Sequence, residues 1–319
     1  MKRTRFELAR WATRLCYSSF VFCHSHTHRR SLIAFGLILA VAITVSAQPA
    51  PAGQKVIRDP DEYKAYSAAV NTADATSRAE ALDAFIQQYP KSLVLTDALE
   101  QEMAAWQTVG DSAQVKNVAK RLLAVDSGNI RALGIVVALD RVSAAQGDNA
   151  ALNEMCVDAS GGMLAVPMWR QPADMSETDF IALSKLLNDI FIGAEGYCAV
   201  EQKNYSQART WLTRAYGMDP ANVQDTYRLA VADLESTPPE ADGFWYCARA
   251  IHLAQSATIP QDVGSMTAYC KAKYMTYHGS GDGWDALITA AATQGAPPRD
   301  FAKQIKAGPT PAPPASPQK

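Results

Sequence analysis

The sequence lacks the patterns by which most enzyme classes are recognised. Its 319 residues contain no H-E-x-x-H, no G-x-S-x-G, no phosphate-binding G-x-x-x-x-G-K-[ST] loop and no C-x-x-C pair. Histidine is also scarce. Of the five histidines, only His252 and His278 follow the first 47 residues, and they are far apart. We therefore expect a protein that is not an enzyme and that carries no cofactor and no metal ion.

Long apolar runs are equally scarce, since Leu32–Val45 is the only extended stretch without a charge. As a helix, it would measure about 21 Å, which is short of the ~30 Å core of a bilayer. Basic residues precede it, and Val45-Ser46-Ala47 has the small-residue spacing of a signal-peptidase site. This predicts a signal peptide over 1–47, a linker over 48–58, and a periplasmic or extracellular protein. The alternative is an uncleaved segment that anchors the chain in the inner membrane.

The chain also lacks a basic surface beyond the leader. The first 47 residues hold seven of the 30 basic side chains and one of the 32 acidic ones, so the remaining 272 residues carry 23 basic and 31 acidic groups. A body with a net charge of −8 has no electrostatic basis for binding phosphate backbones or anionic lipid. We expect no nucleic-acid partner and no membrane contact beyond the signal segment.

Strand signals are nearly absent, whereas helix signals follow one another. Asp59-Pro60 is a helix start, and Ser176-Glu177-Thr178-Asp179 has the spacing of a capping box. After it, apolar residues recur at steps of three and four, as on one stripe of a long helix. Short Gly-, Pro- and Asn-containing breaks separate such segments, so neighbouring helices must pair antiparallel. The predicted fold class is all-α.

One stretch of about 34 residues, 189–222, carries a recognisable spacing. The sequence places Gly196, Ala208, Leu212, Ala215 and Pro220 at the spacing G-x11-A-x3-L-x2-A-x4-P. The stretch resembles a tetratricopeptide (TPR) repeat, of the exported bacterial envelope type. This resemblance implies a stack of antiparallel helix pairs, because one hairpin cannot bury its own apolar side.

Weaker copies suggest how the stack continues. Ala81-x3-Phe85-x3-Tyr89-Pro90 matches the second helix of such a pair, and its end precedes the next helix end by about one period. We therefore predict a right-handed α-solenoid of four to five degenerate repeats, with an irregular helical bundle as the alternative. The predicted segments are TPR-like repeats over 59–158, an inserted loop over 159–178, further repeats over 179–256, capping helices over 257–295 and a Pro-rich disordered tail over 296–319.

Four cysteines follow the predicted cleavage site: Cys156, Cys198, Cys247 and Cys270. In an exported protein an even number favours disulfides, and four cysteines allow three connectivities. Because helices adjacent in the chain touch in a stack, Cys156–Cys198 and Cys247–Cys270 are the easiest pairs. The alternative is that all four are small buried apolar residues.

The resemblance implies a peptide or partner helix bound in a concave groove lined by the first helix of each pair. Helical phase places six residues there: Arg131, Arg141, Tyr197, Glu201, Tyr227 and Arg228. The Lys/Asn set that clamps acidic carboxyl termini in some TPR domains is not seen, since Gly134 and Ala138 occupy the corresponding positions. The expected function is a non-enzymatic interaction scaffold of the cell envelope whose partner the sequence does not identify.

A second hypothesis starts from the aromatic residues that crowd the C-terminal half. They could form a stacking platform for glycans, or His278 and Asp282 could act as acid and base in a hydrolytic helical protein of the envelope. The simpler interpretation is that the rings are interior. In that case the glycines around residue 280 end one helix, and Asp282 caps the next.

Overall fold

The structure, a computed structural model, describes residues 55–173, 175–257, 262–305 and 308. Within these ranges the chain forms 13 α-helices and one 3-10 turn, with no strand. The all-α prediction is therefore confirmed. The predicted signal peptide, the first part of the linker and residues 309–319 of the predicted tail lie outside the described residues. None of the described helices is both long enough and apolar enough to cross a bilayer.

The chain divides into two compact units, and the first ends at Asp126. Its helices are α1 (Pro60–Val70), α2 (Ala75–Gln88), α3 (Leu95–Val109) and α4 (Ser112–Val125). The Asp59, Asp74 and Asp111 side chains accept hydrogen bonds from the first backbone N–H groups of α1, α2 and α4. Each helix packs against the next along the chain.

An ion-pair network lies inside this first unit. Arg121 of α4 reaches Glu102 of α3 at 3.1 Å and Asp83 of α2 at 2.9 Å. Burial raises the pKa of the Glu102 carboxyl to about 7, against the opposing effect of Arg121. Around this network the apolar side chains of Leu82, Phe85 and others form the core.

The second unit, from Ser127 onward, contains the remaining helices. They are α5 (Ile130–Ala144), α6 (Asn149–Ala165), α7 (Glu177–Glu201), α8 (Tyr205–Met218), α9 (Val223–Leu234), α10 (Asp242–Ser256), α11 (Val263–His278), α12 (Trp284–Thr293) and α13 (Phe301–Gln304), with a 3-10 turn at Val166–Met168. Each helix from α5 to α10 packs on the next helix along the chain. In addition, α7 packs on both α5 and α9, and α10 packs on α12. The first members of three successive pairs are thus side by side.

The hairpin expected over 189–222 is present as α7 and α8. Gly196 and Ala208 are both buried, and a Cβ atom at Gly196 would lie only 2.5 Å from Cγ of the buried Leu212. The missing side chain therefore lets α8 approach α7 closely. One difference is that α7 begins at Glu177, well before the start of the expected repeat.

The loop predicted over 159–178 is shorter than expected. Helix α6 continues through Gly161 and Gly162 to Ala165, and the chain then makes the 3-10 turn. Gly162 is buried where a Cβ atom would collide with the ring of Phe191 on α7, so this glycine allows close helix packing. Neither Gly161 nor Gly162 ends the helix. The division between units falls at Asp126, and not at this insert, because α5 and α6 pack with the helices that follow them.

The tail predicted to be disordered from residue 296 also needs correction. Its first part forms α13, where Phe301 is 4% exposed and its ring lies 5.3 Å from that of Trp245. Ile305 is buried in the same cluster. Two large apolar side chains in a Pro-rich segment are enough to hold it on the core.

Substitution of Gly196 tests the close crossing of α7 and α8. Because the added methyl group must displace the fully buried Leu212, we expect Gly196→Ala to lower the free energy of unfolding by about 1–3 kcal/mol. Gly217→Ala on α8 is the matched control. No atom lies within 4 Å of its Cβ position, so helix propensity should raise stability by about 0.5–1 kcal/mol. Urea unfolding measures both, and equal effects of the two substitutions would contradict the packing argument.

Candidate functional site

Charged and aromatic residues meet where α5, α7 and α9 lie side by side. On α7, Asp189, Gly193 and Tyr197 recur at four-residue spacing and share one face. This face meets Arg141 from α5 and two residues of α9. We call this set the charged cluster, and its members are Arg141, Asp189, Gly193, Tyr197, Asp225 and Arg228.

An ion pair crosses α7 at the middle of the charged cluster. Arg141 Nη2 donates to Asp225 Oδ1, and the Asp225 side chain is only 2% exposed. A Cβ atom at Gly193 would lie 2.8 Å from Arg141 Nη1 and 2.8 Å from Asp225 Oδ2. Because Gly193 has no side chain, the ion pair between α5 and α9 can occupy this space. Burying this pair sacrifices much of the hydration free energy of the two charges. Removing one partner would leave the other charge uncompensated.

Arg228 lies beside this pair with its guanidinium carbon 3.6 Å from the centre of the Tyr197 ring. The residue is 8% exposed, and its Nη1 has no hydrogen-bond partner. Burial and the neighbouring Arg141 lower the pKa of the Arg228 guanidinium to about 10, which Asp225 opposes. It remains a cation at neutral pH, stabilised by the ring face and by the carboxylate of Asp225.

Asp189 completes the charged cluster one turn before Gly193. Its Oδ1 is buried without a hydrogen-bond partner. Burial, followed by the charges of Asp225 and Asp219, raises the pKa of the Asp189 carboxyl to about 6, while Arg141 and Lys185 act in the opposite direction. This carboxyl therefore changes its charge just below neutral pH.

Three of the six residues predicted for the groove lie in the charged cluster: Arg141, Tyr197 and Arg228. Two of them are corrected in one respect, since Tyr197 and Arg228 are buried at 6% and 8% exposure and do not line an open surface. They are covered because Arg228 lies over the ring and the Arg141–Asp225 pair crosses the same face. A partner could therefore contact only the residues around Tyr197 and Arg228.

The other three predicted residues lie apart from the charged cluster. Glu201 is exposed at the last position of α7, on the same four-residue stripe as Tyr197. The ring of Tyr227 meets that of Tyr269 edge to face, with 6.1 Å between the ring centres. Arg131 is half-buried in the first turn of α5.

Comparisons of this chain with protein-family models, with curated proteins and with solved structures found no match. The interpretation of the site therefore depends on its own geometry.

Both cysteine pairs favoured by helix adjacency are bonded in the structure. Cys156 of α6 is joined to Cys198 of α7, and Cys247 of α10 is joined to Cys270 of α11. Each bond joins a helix to the next helix along the chain, and the bonded cysteines are 42 and 23 residues apart in the sequence. Such bonds restrict the unfolded chain and so stabilise the second unit.

The aromatic residues of the C-terminal half are largely interior. Phe244, Trp245, Tyr274 and Trp284 are each at most 4% exposed and form one core cluster with α13. Rings packed in this way are not available to stack on a glycan, so the burial weighs against the second hypothesis.

The glycine-rich segment after α11 behaves as a helix boundary. Gly279 ends α11 with a positive φ of 86°, and Gly283 begins α12 with a φ of 83°. The expectation that Asp282 caps α12 is wrong, because Gly283 holds the cap position and makes no side-chain bond. Instead, the Asp282 carbonyl accepts a hydrogen bond from the Tyr274 hydroxyl at 2.7 Å. Among the described residues, no group of three or more His, Cys, Asp or Glu side chains could hold a metal ion.

Sequence reasoning missed Asp189, Gly193 and Asp225. A signal for the first two was present, since Asp-x3-Gly-x3-Tyr puts an acid, a gap and a ring on one face of a helix. Asp225 gave no comparable signal, because an acid in the first turn of a helix is common for electrostatic reasons. Its pairing with Arg141, 84 residues away, depends on which helices become neighbours.

Substitution of Gly193 tests the crossing ion pair. A methyl group there must displace the Arg141 or Asp225 side chain, so we expect Gly193→Ala to lower the free energy of unfolding by about 1–3 kcal/mol. The control is the same substitution in an R141A/D225A background. There the space is empty, and the alanine should be neutral or stabilising. An equal loss in both backgrounds, measured by urea unfolding, would contradict this role.

The raised pKa of Asp189 predicts a pH-dependent stability. The folded state binds the Asp189 proton more tightly than the unfolded state does. The stabilisation that this protonation provides is therefore complete below about pH 4, and it is lost as the pH rises through about 6. Asp189→Asn stays uncharged, so the variant should gain stability relative to the natural protein between about pH 4 and pH 7. Unfolding curves across this pH range provide the measurement.

Proposed function

We propose that this chain is a non-enzymatic interaction scaffold of the cell envelope, built from TPR-like helix pairs. In this proposal α5, α7 and α9 are the first helices of successive pairs, and their shared face receives a peptide or a partner helix. The proposal includes export through the N-terminal signal segment, which lies outside the described residues.

The observation that carries the proposal is the packing of α7 on both α5 and α9, in addition to the packing of each helix on its successor. In a stack of helix pairs, the first helices of successive pairs adjoin in this way and form one continuous face. The Arg141–Asp225 pair across Gly193 holds this face in one geometry. A rigid face is suited to binding because little conformational entropy is lost on association.

The contacts available to a partner are accessible parts of Arg141 and of residues on α5, α7 and α9 outside the charged cluster. Glu201 extends the α7 stripe by one turn beyond Tyr197, and Arg141 keeps 18% of its side chain exposed. Tyr227 and Arg131 are half-buried on the neighbouring helices. Accessible charges of both signs and an aromatic ring on the same three helices favour a polypeptide ligand over a uniformly charged polymer.

Site-specific photo-crosslinking tests this function. A benzoylphenylalanine residue in place of Glu201 should form an adduct with one envelope protein, and unlabelled protein should compete for it. The same residue in place of Arg214 on α8 is the control, because Arg214 is exposed on the second helix of the pair. Equal labelling from both positions, or none from Glu201, would contradict binding on the face of α5, α7 and α9.

A paired substitution separates the scaffold from the hydrolytic alternative. H278A/D282A should leave the helical circular dichroism and the Glu201 adduct unchanged, because neither side chain belongs to the charged cluster. Loss of an envelope hydrolase activity in this variant would favour the alternative.

A further inference from the structure

The two disulfides differ in their surroundings. Cys247 and Cys270 are both 0% exposed within the aromatic core of α10, α11 and α12. Cys198 is 4% exposed, whereas Cys156 is only half-buried. Because thiol–disulfide exchange requires a thiolate to reach one sulfur, the two bonds should differ in reactivity.

A cleft of about 470 Å³ opens onto the Cys156–Cys198 bond between α6, α7 and α8. Both cysteines line it, together with polar side chains contributed by all three helices: Ser160, Glu195, Gln202 and Gln207. Its volume is sufficient for a small organic thiol, since ligand sites start at about 300 Å³. The cleft is part of the second unit and lies apart from the charged cluster.

We propose that Cys156–Cys198 is a thiol-exchange site, at which a small thiolate enters this cleft and bonds to the Cys156 sulfur. The Cys247–Cys270 bond is the structural one and does not exchange while the protein is folded. This inference is independent of the scaffold function.

The chemistry is a two-step exchange. The incoming thiolate attacks Cys156 Sγ, a new S–S bond forms, the Cys156–Cys198 bond breaks, and its electron pair leaves on Cys198 Sγ, which takes a proton from water. A second thiolate then attacks the mixed disulfide and releases Cys156. Two small thiols are oxidised to one disulfide, and the protein disulfide gains the two electrons.

Glu195 gives the site a charge preference. Of the described residues that line the cleft, it alone is charged, and the Ser160 hydroxyl donates a hydrogen bond to its Oε1. A carboxylate fixed beside the disulfide repels a thiolate that carries a second negative charge more strongly than a thiolate that is balanced by an ammonium group. The cleft should therefore favour a thiol that carries an amino group over one that carries a sulfonate.

The first test measures which bond is reduced. Free thiols in the full chain, including any at Cys16 and Cys23, are blocked, and the protein is then treated with 2-mercaptoethanol under native conditions. Peptide mass spectrometry after alkylation should show Cys156 and Cys198 labelled at least about tenfold faster than Cys247 and Cys270, with helicity retained. Equal labelling, or labelling only after loss of helicity, overturns the proposal.

The second test measures charge preference. Each small thiol attacks as its thiolate, so Glu195→Gln should raise the exchange rate with mercaptoethanesulfonate, whose thiolate form carries two negative charges, about threefold more than the rate with cysteamine, whose thiolate is balanced by an ammonium group. 2-Mercaptoethanol, which reacts as a singly charged thiolate, should show an intermediate change. Glu177→Gln, at the exposed start of α7, is the control and should change none of these rates.

Salt provides the same measurement without a substitution. In the natural protein, about 1 M NaCl should bring the cysteamine and mercaptoethanesulfonate rates closer together by a similar factor, because it screens Glu195. Rates that do not respond to salt or to Glu195→Gln would show that the thiol does not react within this cleft.

Discussion

The ion pair between Arg141 and Asp225 is the constraint on which the arrangement of the second unit depends. It joins the first and third of three adjacent helices, and it can do so only because Gly193 leaves the middle helix without a side chain at the crossing. The Asp225 carboxylate is only 2% exposed and therefore costly to desolvate, so the pair contributes geometric specificity as much as stability. Any shift of one helix along another would leave a buried charge without its partner.

The same constraint explains why the face of α5, α7 and α9 is polar without being open. Arg228 lies on the Tyr197 ring and Arg141 crosses Gly193, so cations fill space that apolar side chains occupy elsewhere in the unit. In the proposed scaffold, the outer edge of this face is the part that a polypeptide would contact. Around α10 to α13 the aromatic side chains instead pack against one another in an apolar core.

The two disulfides join neighbouring helices in different environments. Cys247–Cys270 lies within the aromatic core, where packing alone would keep α10 and α11 in contact. Cys156–Cys198 ties α6 to α7 beside a polar cleft to which solvent has access. Export, as proposed, would let the chain retain both bonds, but only the second exposes a sulfur to reaction while the chain is folded.

The sequence by itself determined the all-α class and most helix ends, because caps, glycines and spacing of three and four residues are local signals. It favoured the two cysteine pairs through helix adjacency, and the structure decided that they are bonded. It also indicated Arg141, Tyr197 and Arg228, although not that the last two are buried. Only the tertiary structure decided that Gly161 and Gly162 continue a helix, that Phe301 holds the tail on the core, and that Asp225 meets Arg141. Each of these depends on which surfaces become neighbours, and no local pattern encodes contacts between residues so far apart in the chain.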